Sequence, residues 1–408
     1  MRGVVWIRRD LRLQDQPALT AACAECDEVI PLFVFDDPLL RARQFGAPCV
    51  TFMVSCLDEL AAALADQGLA LQWRRGDQIE EVLRFVVDVK ADVVYWNRDY
   101  EPAAIHRDRK VQQALMAQGV VVHTFKDHVV FEAEEIRGST GDPLQRYSAY
   151  RARWWTKWHA ATPPLLPSPV RQRNQRAGGS SPKIALATGG SVSRRDLLTW
   201  IDELIWREFF LQILSAFPQV ASGPFRSKDG LPRPRPAGAE WTRLYAAWCN
   251  GRTGYPLVDA GMKQLNQTGW MHNRVRMVAA SFLIKDLRID WQSGERYFMQ
   301  QLIDADLAAN NGNWQWASAT GTDSMPGYRI FNPLLQSRKF DPEGAYIRQY
   351  VPELAAVPPD KIHAPHLMTR NEQHLAGCRI GLDYPAPIVD HRQAREEYLA
   401  LAKQGNIA

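Results

Sequence analysis

The chain has 408 residues, 46% hydrophobic and 23% charged, with a net charge of +4; this is an ordinary globular composition, long enough for two domains with cores of their own. Six cysteines over that length exclude a disulfide scaffold and point to a reducing cytosol. The charged start MRGVVWIRRDLRL is not a signal peptide and no window approaches the ~20 apolar residues of a membrane span, so a soluble, cytoplasmic protein without membrane contact is expected.

Residues 1–130 alternate β-rich runs with amphipathic stretches, the pattern of a five-stranded parallel, doubly wound, Rossmann-like α/β sheet. The strands read as VVWIRR, EVIPLFVF, ALQWRR, DVVYWN and GVVVHTF, with helical segments at 47–66 and 103–117 between them. Cys23 and Cys26 form a CxxC inside the first predicted helix with no second pair, a chance spacing rather than a metal or redox site. No GxGxxG follows the first strand, which argues against a dinucleotide fingerprint there. Ligands of such sheets sit beyond the carboxyl ends of the strands, which draws attention to RRDLRLQDQ and NRDYE. Residues 131–197 read as an inter-domain linker, ending in the Pro-, Gly-, Ser- and Arg-rich run PPLLPSPVRQRNQRAGGSSPKIALATGGS. Residues 198–408 read as an all-α domain, helical to about 356, with a looped tail and a last charged helix, HRQAREEYLALAKQ.

Three helical segments carry more than packing. In TWIDELIWREFF, steps of three and four bring Trp200, Glu203, Trp206, Arg207 and Phe210 to one face; on residues alone, a surface ion pair beside half-buried indoles accounts for it equally well. In TGWMHNRVRMVAASFLIKDL, Met271, Val275, Val278 and Phe282 form a buried stripe, while Trp270, Asn273, Arg274 and Met277 form a second face suited to a flat hydrogen-bonding ligand. His272 has no metal-ligand spacing and reads as structural. In ERYFMQQLIDADLAANNGNWQW, Asp306 and Asn310 stand one turn apart with Asp304 beside them, and Asn311-Gly312 reads as a helix stop that leaves Trp314 and Trp316 in a loop. Fourteen tryptophans suit stacking on a flat ligand or on bases. With no GxSxG, HExxH, Walker loop or spaced Cys/His set, the aromatic and amide faces point to a bound cofactor that carries the chemistry.

At VVWIRRDLRLQDQPAL, WNRDYEP, WIDELIWREFF, GRTGYPLVDAGMKQLNQTGWMHNRVRM, KDLRIDWQSGERYFMQQLIDADLAANNGNWQW, RIFNP and KFDPEGAYIRQYVPEL the chain resembles the photolyase/cryptochrome family, most nearly its class I cyclobutane pyrimidine dimer branch. The resemblance implies an antenna-binding α/β domain, a helical domain holding flavin adenine dinucleotide (FAD), and a monomer acting on ultraviolet-damaged DNA. A second antenna pigment, of folate or deazaflavin type, belongs to the same expectation. It implies that Trp200, Arg207, Asn273, Arg276, Asp304, Ala305, Asp306 and Asn310 hold the flavin, with Asn310 beside its reactive nitrogen. Trp314 and Trp291 then form the inner photoreduction chain, with Trp241 replacing an outer tryptophan whose usual place is lost. Glu203, Trp206, Asn273, Arg274, Met277 and Trp316 meet the flipped dimer, Glu203 acting catalytically together with Asn310, and Arg329 and Gln336 meet the DNA backbone. Asn273, where (6-4) enzymes have a histidine, and Asn310, where cryptochromes of plant and animal type have Asp or Cys, favour dimer repair over a photoreceptor without repair activity. The family's Ser/Thr-rich run around the flavin phosphates is absent, and the chain is roughly sixty residues shorter at that place. A flavin-deficient paralogue is the reading this absence supports.

Overall fold

The computed structural model describes residues 1–41, 45–169, 193–226, 231–323 and 329–405. Five parallel strands, β1 (Arg2–Ile7), β2 (Glu28–Asp36), β3 (Gln72–Gly76), β4 (Val93–Asn97) and β5 (Val121–Phe125), form one sheet in the order β3-β2-β1-β4-β5. In register, Val4 lies opposite Ile30 on one side and Val94 on the other. Around the sheet run α1 (Pro17–Glu25), α2 (Asp37–Arg41), α3 (Ala47–Asp66), α4 (Gln78–Asp88) and α5 (Pro102–Ala117), followed by α6 (Tyr147–Ala160) and α7 (Arg194–Ala216). The remainder is helical: α8 (Ala239–Cys249), α9 (Pro256–Thr268), α10 (Asn273–Ser281) continued by a π turn over Phe282–Asp286, α11 (Trp291–Gln301), α12 (Leu307–Ser318), α13 (Pro333–Phe340), α14 (Ala345–Tyr350), α15 (Pro359–Ile362), α16 (Arg370–Leu375) and α17 (His391–Gly405).

Strand alternation builds two cores, one on each face of the sheet. Val4 and Trp6 pack with Val82, Phe85 and Val86 of α4 and with Val111 and Leu115 of α5. Val5 and Ile7 pack on the other face with Ala18, Leu19 and Ala22 of α1 and with Leu60 and Leu64 of α3. Both faces being covered, the strands read as near-continuous apolar runs. The strand order reverses between β1 and β4, and there the two loops singled out in the sequence meet. The Asp10 carboxylate accepts from Gln16 Nε2 and Asn97 Nδ2, each at 2.6 Å, while Asn97 Oδ1 accepts from the Ala18 amide at 3.1 Å. These buried amides lock the crevice walls together.

Contacts divide the chain into one unit of Met1–Arg43 with Phe52–Gln219 and another of Gln44–Thr51 with Val220–Ala408. Within 131–197, where composition suggests a linker, residues 147–160 form α6, which packs on α7. Against the expectation that no window is apolar enough for a membrane span, α3 is long and apolar enough by composition, although its Leu57, Leu60 and Leu64 are buried. The six cysteines are free thiols, and Cys26 lies buried against the Tyr95 hydroxyl.

Helix–helix packing centres the second unit on Trp248, Met262, Phe282, Phe298 and Trp314. A separate cluster joins Ile347, Leu354 and Ile362 to Tyr384. Asp259, fully buried at the start of α9, accepts from the Thr253 amide and hydroxyl, the Gly254 amide and the Tyr384 hydroxyl. Burial raises its carboxyl, and these four donors oppose the rise.

Candidate functional site

The segment NNGNWQW does not end a helix. Asp306 caps α12 by accepting from the Ala309 amide at 2.9 Å, and the helix runs on to Ser318, where Ala319 closes it in the left-handed region at φ 65°. Expected as a stop, Asn311 is instead buried, and its amide donates to Glu295 Oε1 at 2.8 Å. Its oxygen accepts from Gln315 Nε2 at 2.8 Å, and that amide also reaches the carbonyls of Val220 and Gly223. Tertiary hydrogen bonds thus occupy the amides that would otherwise compete with the helix backbone. Trp314 and Trp316 are therefore helical, and two residues at 3.6 per turn send them to opposing sides. Trp314 is 3% exposed in the core, and Trp316 is half-buried at its edge.

Glu295 on α11 also positions Asn310, whose Nδ2 donates to the Glu295 carbonyl at 2.9 Å. The Asn310 oxygen has no protein donor among the described residues. Burial raises the Glu295 carboxyl, opposed by the Asn311 amide. Asp304, exposed just before α12, pairs with Arg276 Nη2 at 2.9 Å, and Arg276 Nε donates to the Met271 carbonyl at 2.6 Å. Ala305 lies half-buried between the two aspartates. Asp304, Asp306, Arg276 and Asn310 are thus gathered around the start of α12.

The second face expected around Trp270 is only partly formed. Gly269 ends α9 in the left-handed region at φ 68°, and α10 starts at Asn273. Trp270 therefore lies in the turn between helices, because the His272 ring nitrogen caps the Arg274 amide at 3.1 Å and fixes where α10 begins. Asn273, Arg274 and Met277 do share the first turns of α10, exposed or half-buried. Arg274 lies over the Phe340 ring at 5.1 Å, with Lys339 on the same ring at 5.3 Å. Gln336, one turn before Phe340, is half-buried. Exposed Arg329 lies over Phe331, and its carbonyl accepts from Lys285 Nζ at 2.6 Å. Burial lowers the Lys285 ammonium to about 8. Arg274, Arg329, Arg338 and Lys339 give this region cations of the kind that phosphates attract.

In the first unit α7 is pinned by Glu208, 6% exposed, which accepts from the Val130 amide at 2.6 Å and Trp154 Nε1 at 3.0 Å. Arg207 donates to the His128 carbonyl at 2.8 Å, so this cation is held by backbone. Trp206 stacks on Tyr147 with centroids 3.6 Å apart, and the Tyr147 hydroxyl donates to the Asp202 carbonyl. Trp200 and Glu203 are exposed, whereas Phe210 is buried. The stripe read as one surface therefore grades from solvent at Trp200 into the core at Phe210.

Of the expected electron relay, Trp314 meets Trp248 and Phe298. Trp241 packs on Tyr245 at 4.8 Å. Trp291 is buried, and its indole N–H lacks a partner among the described residues. Sequence reasoning missed Glu295, Lys285, Phe340 and Trp248; each acts on a residue 15 or more positions away, and no local spacing marks such pairs.

Residues 3–169 match a family model described as DNA photolyase, and residues 200–404 match the FAD binding domain of DNA photolyase. The chain is 35% identical over 474 residues to the deoxyribodipyrimidine photo-lyase of Escherichia coli K12, covering 97% of each, and 34% identical to that of Salmonella typhimurium, covering 96% of each. The 474-position alignment exceeds the chain's 408 residues, so that relative carries segments this chain lacks. Among solved structures, a class III photolyase from Agrobacterium tumefaciens superposes with TM-score 0.87 at 30% identity, covering 100% of this chain and 98% of that one. An archaeal photolyase from Sulfolobus tokodaii with two FAD molecules superposes at 0.79 with 29% identity, covering 99% of each.

Proposed function

The chain belongs to the DNA photolyase family, and on that premise we propose that it binds FAD and repairs cyclobutane pyrimidine dimers in DNA under light. The observation that carries this reading is the polar edge at the start of α12, which suits a flat heteroaromatic ring. There the Asn310 oxygen has no protein donor among the described residues, while the Arg276–Asp304 pair and the Asp306 carboxylate supply a cation and acceptors. The ring end of the flavin therefore fits the described residues; the place of the shortened segment, within residues 170–192, lies outside them.

Bound FAD, when fully reduced and excited by light, supplies one electron to the dimer and recovers it once the ring has split. The protein's own groups do the rest. Asn310, with its N–H₂ occupied by the Glu295 carbonyl, presents its oxygen to a ring N–H. Asp304 and Asp306 accept from the ring edge, and Arg276 holds Asp304 in place. Trp200, Arg207, Asn273 and Ala305 complete the proposed flavin contacts. Asn273, Arg274, Met277 and Trp316, with Glu203 and Trp206 of α7, are assigned to the flipped dimer, which pairs and stacks poorly and so costs less to extrude than a normal base. Glu203, protonated or hydrogen-bonded through its carboxyl, is assigned to stabilise the negative charge that develops on the pyrimidine carbonyl. Arg329 and Gln336 are assigned to the phosphate backbone.

The test is light-driven repair of a thymine-dimer oligonucleotide by protein whose flavin has been counted. Glu203→Ala should retain dimer binding and lose about 10²-fold in repair rate, the usual size for removing one charge-stabilising donor. Unchanged repair would refute the role of that carboxyl. The missing segment favours a second reading, a flavin-poor DNA binder, which predicts protein that takes up no added FAD.

A further inference from the structure

At the start of α11 lies a cavity of about 40 Å³, roughly three times the space one water needs. Its walls come from four stretches of the second unit: the loop at 231–234, the turn from Ile284 to Trp291, the end of α12, and Tyr398 of α17. Two of the wall residues are buried and bring donors without partners. Trp291 is 4% exposed, and its indole N–H meets no acceptor among the described residues. Tyr398 is 3% exposed, and its hydroxyl makes no hydrogen bond among them either. Burial pushes the Tyr398 phenol up to about 12, so it keeps its proton at neutral pH and can donate. An indole N–H can do nothing else.

The charges on the walls have the matching sign. Arg233 and Arg288 both line the cavity, and neither guanidinium makes an ion pair or a hydrogen bond among the described residues. Arg288 is half-buried, while Arg233 is exposed and gives the cavity its way to solvent. The carboxylate that shares these walls, Asp290, is already spent on α11. Its oxygens accept from the Ser293 amide at 2.8 Å and the Ser293 hydroxyl at 2.9 Å. The Thr320 hydroxyl is paired with that of Ser318 at 2.7 Å. Ile284 and Ile289 add buried apolar surface, next to which a charge-assisted hydrogen bond is stronger than in water. Donors and cations therefore outnumber the acceptors left over, the reverse of what a cation requires.

We infer that this cavity binds a small anion, a carboxylate or an inorganic oxyanion, held by the Trp291 N–H, the Tyr398 hydroxyl and the guanidiniums of Arg288 and Arg233. None of its wall residues belongs to the polar edge around Asn310, so the site stands apart from the proposed flavin contacts. The anion would tie together four stretches that are far apart in sequence. Binding only the folded form, it stabilises the second unit by mass action.

The experiment is calorimetric titration of the full chain with inorganic phosphate and, separately, with acetate at constant ionic strength, together with the thermal midpoint at each concentration. The parent should show saturable binding at one site and a midpoint that rises once the anion exceeds its Kd. Tyr398→Phe, which removes only the hydroxyl, and Arg233→Ala should each weaken binding about tenfold or more, the cost of one charge-assisted hydrogen bond. Arg288→Asn should do the same; Arg288 stands in the left-handed region at φ 54°, which asparagine tolerates. Arg243→Ala, exposed on α8 and outside the cavity walls, should keep the parent's affinity. Arg233 is exposed, so its substitution keeps the test open should Tyr398→Phe or Arg288→Asn not fold. Tighter phosphate assigns the site to inorganic oxyanions, and tighter acetate to carboxylates. Absence of saturable binding for both anions overturns the inference. So does undiminished affinity in Arg233→Ala and Tyr398→Phe, or an equal loss in Arg243→Ala. The titration needs no flavin, so its failure leaves the repair reading standing, and failed dimer repair leaves the anion site to be judged by its own binding.

Discussion

Gly294, in the first turn of α11, is where the packing of the helical unit bears most directly on Trp314. A Cβ at this position would stand 2.2 Å from Trp314 Cη2, 2.5 Å from Cζ3 and 2.6 Å from Leu283 Cδ2. Ordinary contact begins at 3.4 Å, so the indole edge must retreat by about 1.2 Å, the difference between 3.4 and 2.2. It has nowhere to go, since Trp314 is 3% exposed and boxed by Phe298 at 5.1 Å and Trp248 at 6.3 Å. Overpacking of this depth costs about 3 kcal/mol, because two inflexible groups must move together. Alanine's better helix propensity returns about 1 kcal/mol. Gly294→Ala should therefore lose about 2 kcal/mol in urea denaturation and shift the tryptophan fluorescence as Trp314 is displaced. Gly223→Ala, whose added Cβ meets nothing within 4 Å, is the control and should stay near the parent. A Gly294→Ala chain as stable as the parent, with unshifted fluorescence, would refute the packing argument.

Other substitutions probe the supports of each unit. Glu208→Ala strips the acceptor from the Val130 and Phe131 amides and from the Trp154 indole, and should cost about 3–5 kcal/mol in denaturation of the first unit; a loss below 1 kcal/mol, the usual net worth of one hydrogen bond, would contradict it. Asn311→Leu leaves Glu295 Oε1 and one Gln315 contact without a partner and should cost about 2–4 kcal/mol, with α12 the segment that gains amide exchange. Burial alone would raise the Glu135 carboxyl, but the Glu132 amide and the Lys126 and Lys157 ammoniums overcome it and bring it from 4.5 down to about 2. A depressed acid contributes stability that is whole above its unfolded value and is lost as pH falls through the folded one. The stability of the first unit should therefore decline between pH 4.5 and about 2, more shallowly in Glu135→Gln; identical acid profiles for the two proteins would remove Glu135 from the explanation.

The α/β half was legible because burial on both faces of a parallel sheet leaves its mark in local composition. Val4, Trp6, Val94 and Trp96 are apolar in sequence and buried in the sheet alike. The helical half was legible as helices, and several of its site residues were readable as polar groups on otherwise apolar segments, Asn273 and Asn310 among them. Helix limits were less accessible. Asn311-Gly312 carries the local chemistry of a stop, and only Glu295 and Gln315, reaching it from elsewhere, make continuation the lower-energy choice. Trp270 sits at helical spacing from Asn273, yet the Gly269 turn and the His272 cap separate them.

By itself the sequence determined which residues were available: a sheet-forming half, a helix-forming half, and amides, acids and indoles at positions that a packed core rarely requests. Tertiary structure decided which of them meet. The Asn310 N–H₂ is held by the Glu295 carbonyl while its oxygen has no donor among the described residues, and Trp314 has an aromatic neighbour in Trp248, 66 residues away in the chain. Periodicity records a residue's burial because burial is a property of one element against its surroundings. A hydrogen bond or a ring contact between two helices depends on how both are packed, and no single window of sequence contains both partners.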